Sequence, residues 1–182
     1  MQPAPSAPAR EPQGQPARTA PMNRLSPMLP PAHVVLDLDV SSKKRLFEQI
    51  GLMFENSRQI PRARVFDSLF DREKLGSTGL GYGVAIPHGR LKNLKETLCA
   101  FVRTQSPVPF ESPDGQPVRL VLAILVPEHA TEQHLELLSD LAQMFSDREL
   151  RERLLAAGDV ESAHSLLTEW SPYAPPQRSA AL

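Results

Sequence analysis

The stretch 118–126 constrains the fold of this chain more than any other. All of its residues except Arg119 are apolar, and most of them are branched. A strand with apolar side chains on both faces needs a layer of structure against each face, because either face would otherwise be exposed to water. The stretch therefore predicts a central strand in a sheet that is covered on both sides.

Candidate strands and helices precede and follow this stretch. Short apolar runs at 34–38 and 98–103 have the length of strands. Apolar residues at helical spacing predict five helices, which follow residues 39–42, begin at Pro61, and cover 131–145, 147–157 and 159–170. Strands mixed with helices in this order are typical of an α/β layered sandwich.

Proline and alanine dominate both ends of the chain. Residues 1–31 hold nearly half of the 19 prolines, and such a segment buries too little apolar surface to offset the entropy of ordering it. We therefore predict a disordered leader at 1–31, a folded domain at 32–171 and a flexible tail at 172–182. Met22 is a candidate alternative translation start.

Composition argues against several classes of function. The net charge is −1 and aromatic residues make up 5%, so neither the basic face nor the stacking aromatics of a nucleic-acid reader are present. Cys99 is the single cysteine, which fits a reducing cytosol. No apolar run approaches the roughly 18 residues of a membrane-spanning helix. We expect a cytoplasmic protein that does not insert into membranes.

Nucleotide and metal binding are both disfavoured by the sequence. The glycine-dense loop 76–83 lacks the Lys-Ser or Lys-Thr that follows the last glycine of a P-loop, and an extended segment follows it instead of a helix. His129 and His134 are five residues apart, but no Cys, Asp or third His completes a tetrahedral set. We predict neither a cofactor nor a metal.

His88 is the leading candidate for chemistry because of its neighbours. Pro87 fixes its own φ and favours an extended Ile86, so the next side chain emerges in a predictable direction. Gly89 leaves room for another backbone to approach. A neutral imidazole is nucleophilic near neutral pH without a separate base. From these residues alone, however, a structural histidine is the commoner interpretation.

A combination of motifs carries a family resemblance. Arg-Glu-Lys-Leu-Gly-Ser-Thr-Gly at 72–79 is followed by Gly-Val-Ala-Ile-Pro-His-Gly-Arg at 83–90, and further motifs lie at 114–118, 125–127 and 131–135. Over roughly residues 34–168, the chain resembles the enzyme IIA domain of the fructose/mannitol class in the phosphoenolpyruvate-dependent phosphotransferase system. Within that class, Pro-His-Gly-Arg-Leu is most similar to the nitrogen-regulatory branch.

The resemblance implies a fold, a donor and a set of site residues. The fold is a three-layer α/β sandwich with a mixed sheet of about five strands flanked by helices. His88 accepts a phosphoryl group on Nε2 from the small carrier HPr or its nitrogen-branch paralogue. Arg72 contacts the phosphoryl oxygens, although a cation at a helix end is an equal alternative from sequence alone. The remaining site candidates are His134, Ser77 and Thr78.

Each of these remaining candidates has a second interpretation. His134 begins a buried helical stripe, so it is either a neighbour of His88, as the resemblance implies, or a core histidine with its own partner. Ser77 and Thr78 suit hydrogen bonding to phosphate and equally suit a turn.

Several functions are compatible with the resemblance. We adopt a regulatory phosphocarrier, formally a phosphotransferase component, in which phosphorylation of His88 switches binding to targets such as potassium-transport or sensor-kinase proteins. The alternative is a sugar-specific enzyme IIA that passes phosphate to a separate, cysteine-bearing IIB protein. A third interpretation is a binding module in which His88 is structural.

Overall fold

A mixed sheet runs through the centre of the domain in the computed structural model, which describes residues 2–4, 23–130 and 132–172. Within these residues the sheet has six strands: β1 (Val34–Leu38), β2 (Gly79–Gly81), β3 (Val84–Ala85), β4 (His88–Leu91), β5 (Leu98–Val108) and β6 (Val118–Pro127). The helices are α1 (Lys43–Arg58), α2 (Arg62–Lys74), α3 (Glu132–Ser146), α4 (Arg148–Ala156) and α5 (Val160–Thr168).

The predicted α/β class and mixed sheet are confirmed, with one strand more than expected. The strand order is β1-β5-β6-β3-β2, and β4 also pairs with β6. Neither β2, which comes from the predicted glycine loop, nor β4 was among the apolar runs predicted as strands. β2 is the strand at the end of the sheet. It pairs antiparallel with β3 through a tight turn, in which Gly81 and Gly83 have φ of 93° and 77°. Glycine adopts such values without a steric penalty.

β6 is the central strand that its apolar sequence predicts. Leu122 and Ile124 enter a core formed with α3, α4 and α5, whereas the intervening Val121 and Ala123 enter a second core with α1 and α2. Successive side chains of a strand point to opposite faces. The one strand therefore supplies both cores of a three-layer sandwich.

The predicted leader ends too late in the sequence. Leu25 and Leu29 are buried, at 2% and 0% exposure. Asn23 donates its side-chain amide to the carbonyl of Leu167 at 2.7 Å, which satisfies one of the free carbonyls at the end of α5. The prediction of disorder was wrong for residues 23–31, because two leucines are enough to anchor this proline-rich segment. The rest of the predicted leader and tail, at 1, 5–22 and 173–182, lies outside the described residues.

The burial of Leu29 gives a test of this boundary. We expect Leu29→Ala to lower the free energy of unfolding by about 2–5 kcal/mol, since truncating a buried leucine leaves a cavity. Urea denaturation measures the change. The control Leu155→Ala alters a leucine that is 40% exposed, and we expect a change within about 0.5 kcal/mol. Equally small effects of both substitutions would show that residues 23–31 do not contribute to the folded domain.

Candidate functional site

The backbone on both sides of Pro87 is fixed by pairing with β6. β3 and β4 follow one another along the same edge of β6, where Val84 is in register with Leu120 and His88 with Ile124. In the break between them, the carbonyl of Pro87 accepts a hydrogen bond from the Ile124 amide at 2.9 Å. His88 therefore begins β4 with its backbone direction set by the central strand.

One hydrogen bond determines which ring nitrogen of His88 can react. Its Nδ1 lies 2.9 Å from the carbonyl oxygen of Ile86. A carbonyl oxygen only accepts, so Nδ1 carries the hydrogen and the neutral ring has its lone pair on Nε2. Nε2 is the atom that the family resemblance assigns to phosphorylation.

The surroundings of His88 favour its neutral form. Burial lowers the pKa of the His88 ring below its ordinary value, and the nearby charge of Arg72 lowers it further. The hydrogen bond to Ile86 and the charge of Glu73 oppose this shift, with the smaller effect. A ring with a lowered pKa keeps its lone pair at neutral pH and remains nucleophilic.

His134, in the first turn of α3, lies beside His88. The two ring centroids are 5.1 Å apart and the rings are tilted by 53°. Burial lowers the pKa of His134, as do the nearby His88 and Arg90. Its Nδ1 is buried and has no hydrogen-bond partner within the described chain. The interpretation of His134 as a core histidine with its own partner therefore does not hold for this nitrogen.

Arg72 occupies the last turn of α2. Its Nη1 donates to the Gly76 carbonyl at 2.8 Å, and its charge is close enough to lower the pKa of His88. A guanidinium has five N–H donors, so this single bond leaves capacity for phosphoryl oxygens. Arg72 thus bonds to the loop after α2 and places a cation near His88, whereas its contact with phosphoryl oxygens stays a prediction.

The hydroxyl groups of Ser77 and Thr78 are engaged elsewhere. Ser77 Oγ donates to the carbonyl of Phe110 at 2.5 Å, and Thr78 Oγ1 donates to the carboxylate of Glu73 at 2.6 Å. In this arrangement both hydroxyls donate to other acceptors, and the hydrogen bonds to phosphate predicted for these residues stay a prediction. Their second interpretation, the formation of the loop, describes what they do here.

Glu73 is a site residue that the sequence reasoning missed. Its side chain is 3% exposed and pairs with Lys43 Nζ at 2.8 Å. A signal was available, because Val65, Leu69 and Glu73 recur every four residues along one face of α2, and the first two are fully buried. A carboxylate that ends an apolar stripe needs partners, which is the argument that selected His134.

Gly89 allows α2 to lie directly against β4. A Cβ atom at this position would be 2.9 Å from the backbone carbonyl of Ser68, which is closer than real contacts of this kind. The absent side chain thus admits the backbone of the helix, as predicted for this glycine. As a result, the helix that carries Arg72 and Glu73 is held next to the strand that carries His88.

Two exposed leucines accompany the site residues. Leu75, which directly follows α2, is 85% exposed, and Leu135, which directly follows His134, is 68% exposed. Leu91, at the end of β4, is in contrast buried, at 5% exposure. Tyr82 is exposed and stacks against Arg151 at 4.6 Å, at the tip of the β2–β3 turn.

Residues 2–4, 23–130 and 132–172 contain neither a metal-binding cluster nor a membrane-spanning helix. In this part of the chain no group of three or more His, Cys, Asp or Glu side chains could hold a metal ion. Over the same residues, no helix combines the length and the apolar character needed to cross a membrane.

Comparisons with known proteins agree on one family. A family model described as phosphoenolpyruvate-dependent sugar phosphotransferase system, EIIA 2, matches residues 27–170. The nitrogen regulatory protein of Pseudomonas aeruginosa is 40% identical over 151 residues, which cover 81% of this chain and 97% of the relative. The fructose-specific EIIA component of Haloferax volcanii is 32% identical over 120 residues, covering 66% and 78%.

A solved structure is similar in both sequence and fold. The nitrogen regulatory protein IIA-Ntr from Neisseria meningitidis is 52% identical, covers 79% of this chain and 99% of its own, and superimposes with a TM-score of 0.76. The fold described above is therefore that of a IIA protein.

The proximity of His88 and His134 predicts coupled titration. We expect His88→Gln to raise the pKa of His134 towards its ordinary value of 6.5, because a neutral amide removes the repulsion between two protonated rings. An NMR titration of the imidazole signals measures this shift. His129→Gln is the control, since that side chain is 96% exposed and does not contact His134. The same His134 midpoint in both variants would contradict the coupling.

The lowered pKa values of His88 and His134 also predict how the stability of the protein depends on pH. Below about pH 6.5 the unfolded chain binds more protons at these histidines than the folded chain, so the free energy of unfolding falls as the pH decreases. Urea denaturation at pH 7 and pH 5.5 measures the loss. We expect the loss to be smaller when both His88 and His134 are replaced by Gln, because two of the groups with a lowered pKa are then absent.

Proposed function

Since the chain belongs to the EIIA 2 family of the phosphoenolpyruvate-dependent sugar phosphotransferase system, we propose that it is a regulatory phosphocarrier that is phosphorylated on His88. The observation that carries this proposal is the hydrogen bond from His88 Nδ1 to the Ile86 carbonyl, which leaves the Nε2 lone pair to attack phosphorus. Members of such a relay exchange the group through phosphohistidines, so the donor is a protein of the HPr type.

The transfer needs no reactant beyond the two proteins. The Nε2 lone pair of His88 forms the new N–P bond while the donor's N–P bond breaks, and that electron pair returns to the donor's imidazole. His88 keeps its hydrogen on Nδ1, where the Ile86 carbonyl stabilises the positive charge that the ring acquires. The protein's task is positioning and the stabilisation of charge on the equatorial oxygens.

Arg72 is the cation proposed to stabilise those oxygens. It lies close enough to His88 to affect its pKa, and its planar guanidinium suits two phosphoryl oxygens at once. His134 is the second proposed contact, because its ring lies beside His88. Together they place one permanent cation and one polar ring around the reacting nitrogen.

Leu75 and Leu135 are the proposed docking anchors for the donor and for regulatory targets. Both are largely exposed. Leu75 directly follows the helix that carries Arg72, and Leu135 lies on the helix that carries His134. A phosphoryl group adds about −1.5 to −2 charges. Placed next to apolar anchors, this charge changes which partner surface fits, and the phosphorylation state then controls binding. Potassium-transport and sensor-kinase components are the target classes that the nitrogen branch implies.

The sugar-transport alternative has its own support. The fructose-specific relative matches 66% of this chain, so a IIA protein that feeds a separate IIB protein remains the second candidate function. The regulatory assignment is preferred because the nitrogen regulatory relatives are more similar, at 40% and 52% identity.

Phosphorylation by the relay tests the central proposal. We expect the protein to acquire label from phosphoenolpyruvate in the presence of the first enzyme of the system and an HPr-type protein, and His88→Ala to acquire none. His129→Ala, which alters an exposed histidine, serves as the control and should label like the wild type. Equal labelling of His88→Ala and the wild type would refute the proposal. Rapid onward transfer to a sugar-specific IIB protein would instead favour the alternative function.

The role of Arg72 predicts a defect in rate without a large loss of stability. We expect Arg72→Ala to slow phosphorylation roughly a hundredfold, as when a preorganised donor to a developing charge is removed. The control is Arg64→Ala on the same helix, because Arg64 likewise donates to a backbone carbonyl, that of Lys92, at 2.7 Å. The two variants should melt at similar temperatures. A normal rate for Arg72→Ala would assign Arg72 to loop closure alone.

A further inference from the structure

The placement of Glu73 opposes two physical preferences at once. It is the next-to-last residue of α2, where the free carbonyl groups create partial negative charge and disfavour an anion. Its side chain is also nearly inaccessible, at 3% exposure, and burying a carboxylate is costly without compensation. The surrounding groups must therefore compensate for both effects.

The cation that compensates Glu73 is Lys43, and it too lies at a helix end that disfavours its charge. Lys43 is the first residue of α1, at the end of a helix where a positive charge is disfavoured. The start of α1 and the end of α2 meet at this point, and the two charges pair at 2.8 Å. Lys43 Nζ also lies 4.7 Å from the centre of the Phe110 ring. The backbone carbonyl of Phe110 in turn accepts a hydrogen bond from the Ser77 hydroxyl. The pair thus joins both helices to the loop that follows α2.

From Glu73, a continuous series of hydrogen bonds leads to His88. The Thr78 amide and hydroxyl donate to the Glu73 carboxylate at 3.1 and 2.6 Å. The Thr78 carbonyl accepts from the Ile86 amide at 3.0 Å, and the Ile86 carbonyl accepts from His88 Nδ1 at 2.9 Å. Each link fixes the residue that makes the next one.

We propose that Glu73, held by Lys43, is a positioning residue for His88 that acts through Thr78 and Ile86. The orientation of the imidazole, and hence of Nε2, depends on where the Ile86 carbonyl lies, and that carbonyl is placed by the series of bonds that begins at the carboxylate. Phosphoryl transfer is sensitive to such placement, since small displacements of a reacting atom cost large factors in rate.

The buried carboxylate also acts on His88 through its charge. Glu73 raises the pKa of His88, in opposition to Arg72. One anion and one cation from the same turn of α2 therefore act on the ring in opposite directions. This inference rests on the proposed phosphorylation of His88, but two of its consequences, the tautomer and the pKa of the ring, can be measured without any phosphate.

The test is Glu73→Gln, which keeps the shape of the side chain and removes its charge. We expect phosphorylation to slow by about tenfold or more, the pKa of His88 to fall further, and the nitrogen chemical shifts of the ring to show a smaller fraction of the Nδ1–H tautomer. Lys43→Met should likewise slow phosphorylation and reduce the fraction of the Nδ1–H tautomer, but without the fall in the pKa of His88, because the Glu73 charge remains. Lys43→Arg, which keeps the cation, should behave like the wild type.

The matched control is Glu55→Gln. Glu55 also bridges α1 and α2, accepting from the Arg62 amide at 2.8 Å and from its guanidinium at 2.7 Å, and it has no contact with the loop 76–78. We expect it to affect melting temperature alone.

Each outcome decides the question. If Glu73→Gln lowers the melting temperature but leaves the tautomer, the pKa of His88 and the rate as they are in Glu55→Gln, then Glu73 is merely structural and the inference is wrong. If Glu73→Gln fails to fold, Thr78→Val removes the hydroxyl that donates to Glu73, and an unchanged tautomer in that variant overturns the inference. A wild-type protein that accepts no phosphate would defeat the proposed function, whereas the NMR readouts would still decide the role of Glu73.

Discussion

The site depends on how two short strands share one edge of β6. β3 pairs with β6 at Leu120 and Val121, and β4 resumes the pairing at Ile124. Between them stands Pro87, which has no amide hydrogen to leave unpaired, while its carbonyl still bonds to Ile124. The strand can therefore be interrupted without leaving a buried donor unsatisfied, and the interruption is what presents His88.

Burial explains why the uncharged rings of His88 and His134 lie so close to charged groups. The histidine pair is kept neutral mainly by burial, and Arg72 and Arg90 contribute in the same direction. Among the described residues, Glu73 is the one carboxylate whose charge acts on either ring, and Lys43 pairs with it. Three of the charges at the site thus come from two helix termini: Arg72 and Glu73 from the end of α2, and Lys43 from the start of α1.

Much of the fold could be predicted from the sequence because its signals are local. The apolar stretch of β6 predicted a central strand, and helical spacing predicted all five helices to within a few residues. β2 was missed because three residues that include two glycines have little intrinsic preference for a strand, so their pairing depends on neighbours far along the chain. Leu25 and Leu29 were missed for a similar reason, since the core that they enter is formed by the sheet and α3–α5, which lie far along the chain.

The site itself was less predictable than the fold. Sequence could identify His88, Arg72 and His134 as candidates, and the structure brings these three together. It could not decide between the roles open to Ser77 and Thr78, because a hydroxyl's partner depends on which acceptors the fold brings near. The Phe110 carbonyl is the acceptor for Ser77 and the Glu73 carboxylate is the acceptor for Thr78. The importance of Glu73 becomes visible only when the loop after α2 is closed.

The hydrogen bonds of Asn23 have a topological consequence. Its backbone amide donates to the carbonyl of Thr168 at 2.9 Å, so residue 23 and the end of α5 lie side by side. Joining them would require only a short connection, and the entropic cost of closing such a loop is small. The domain is in effect a nearly closed ring of chain, suited to circular permutation or to insertion within another protein, with new ends opened on a surface distant from β4.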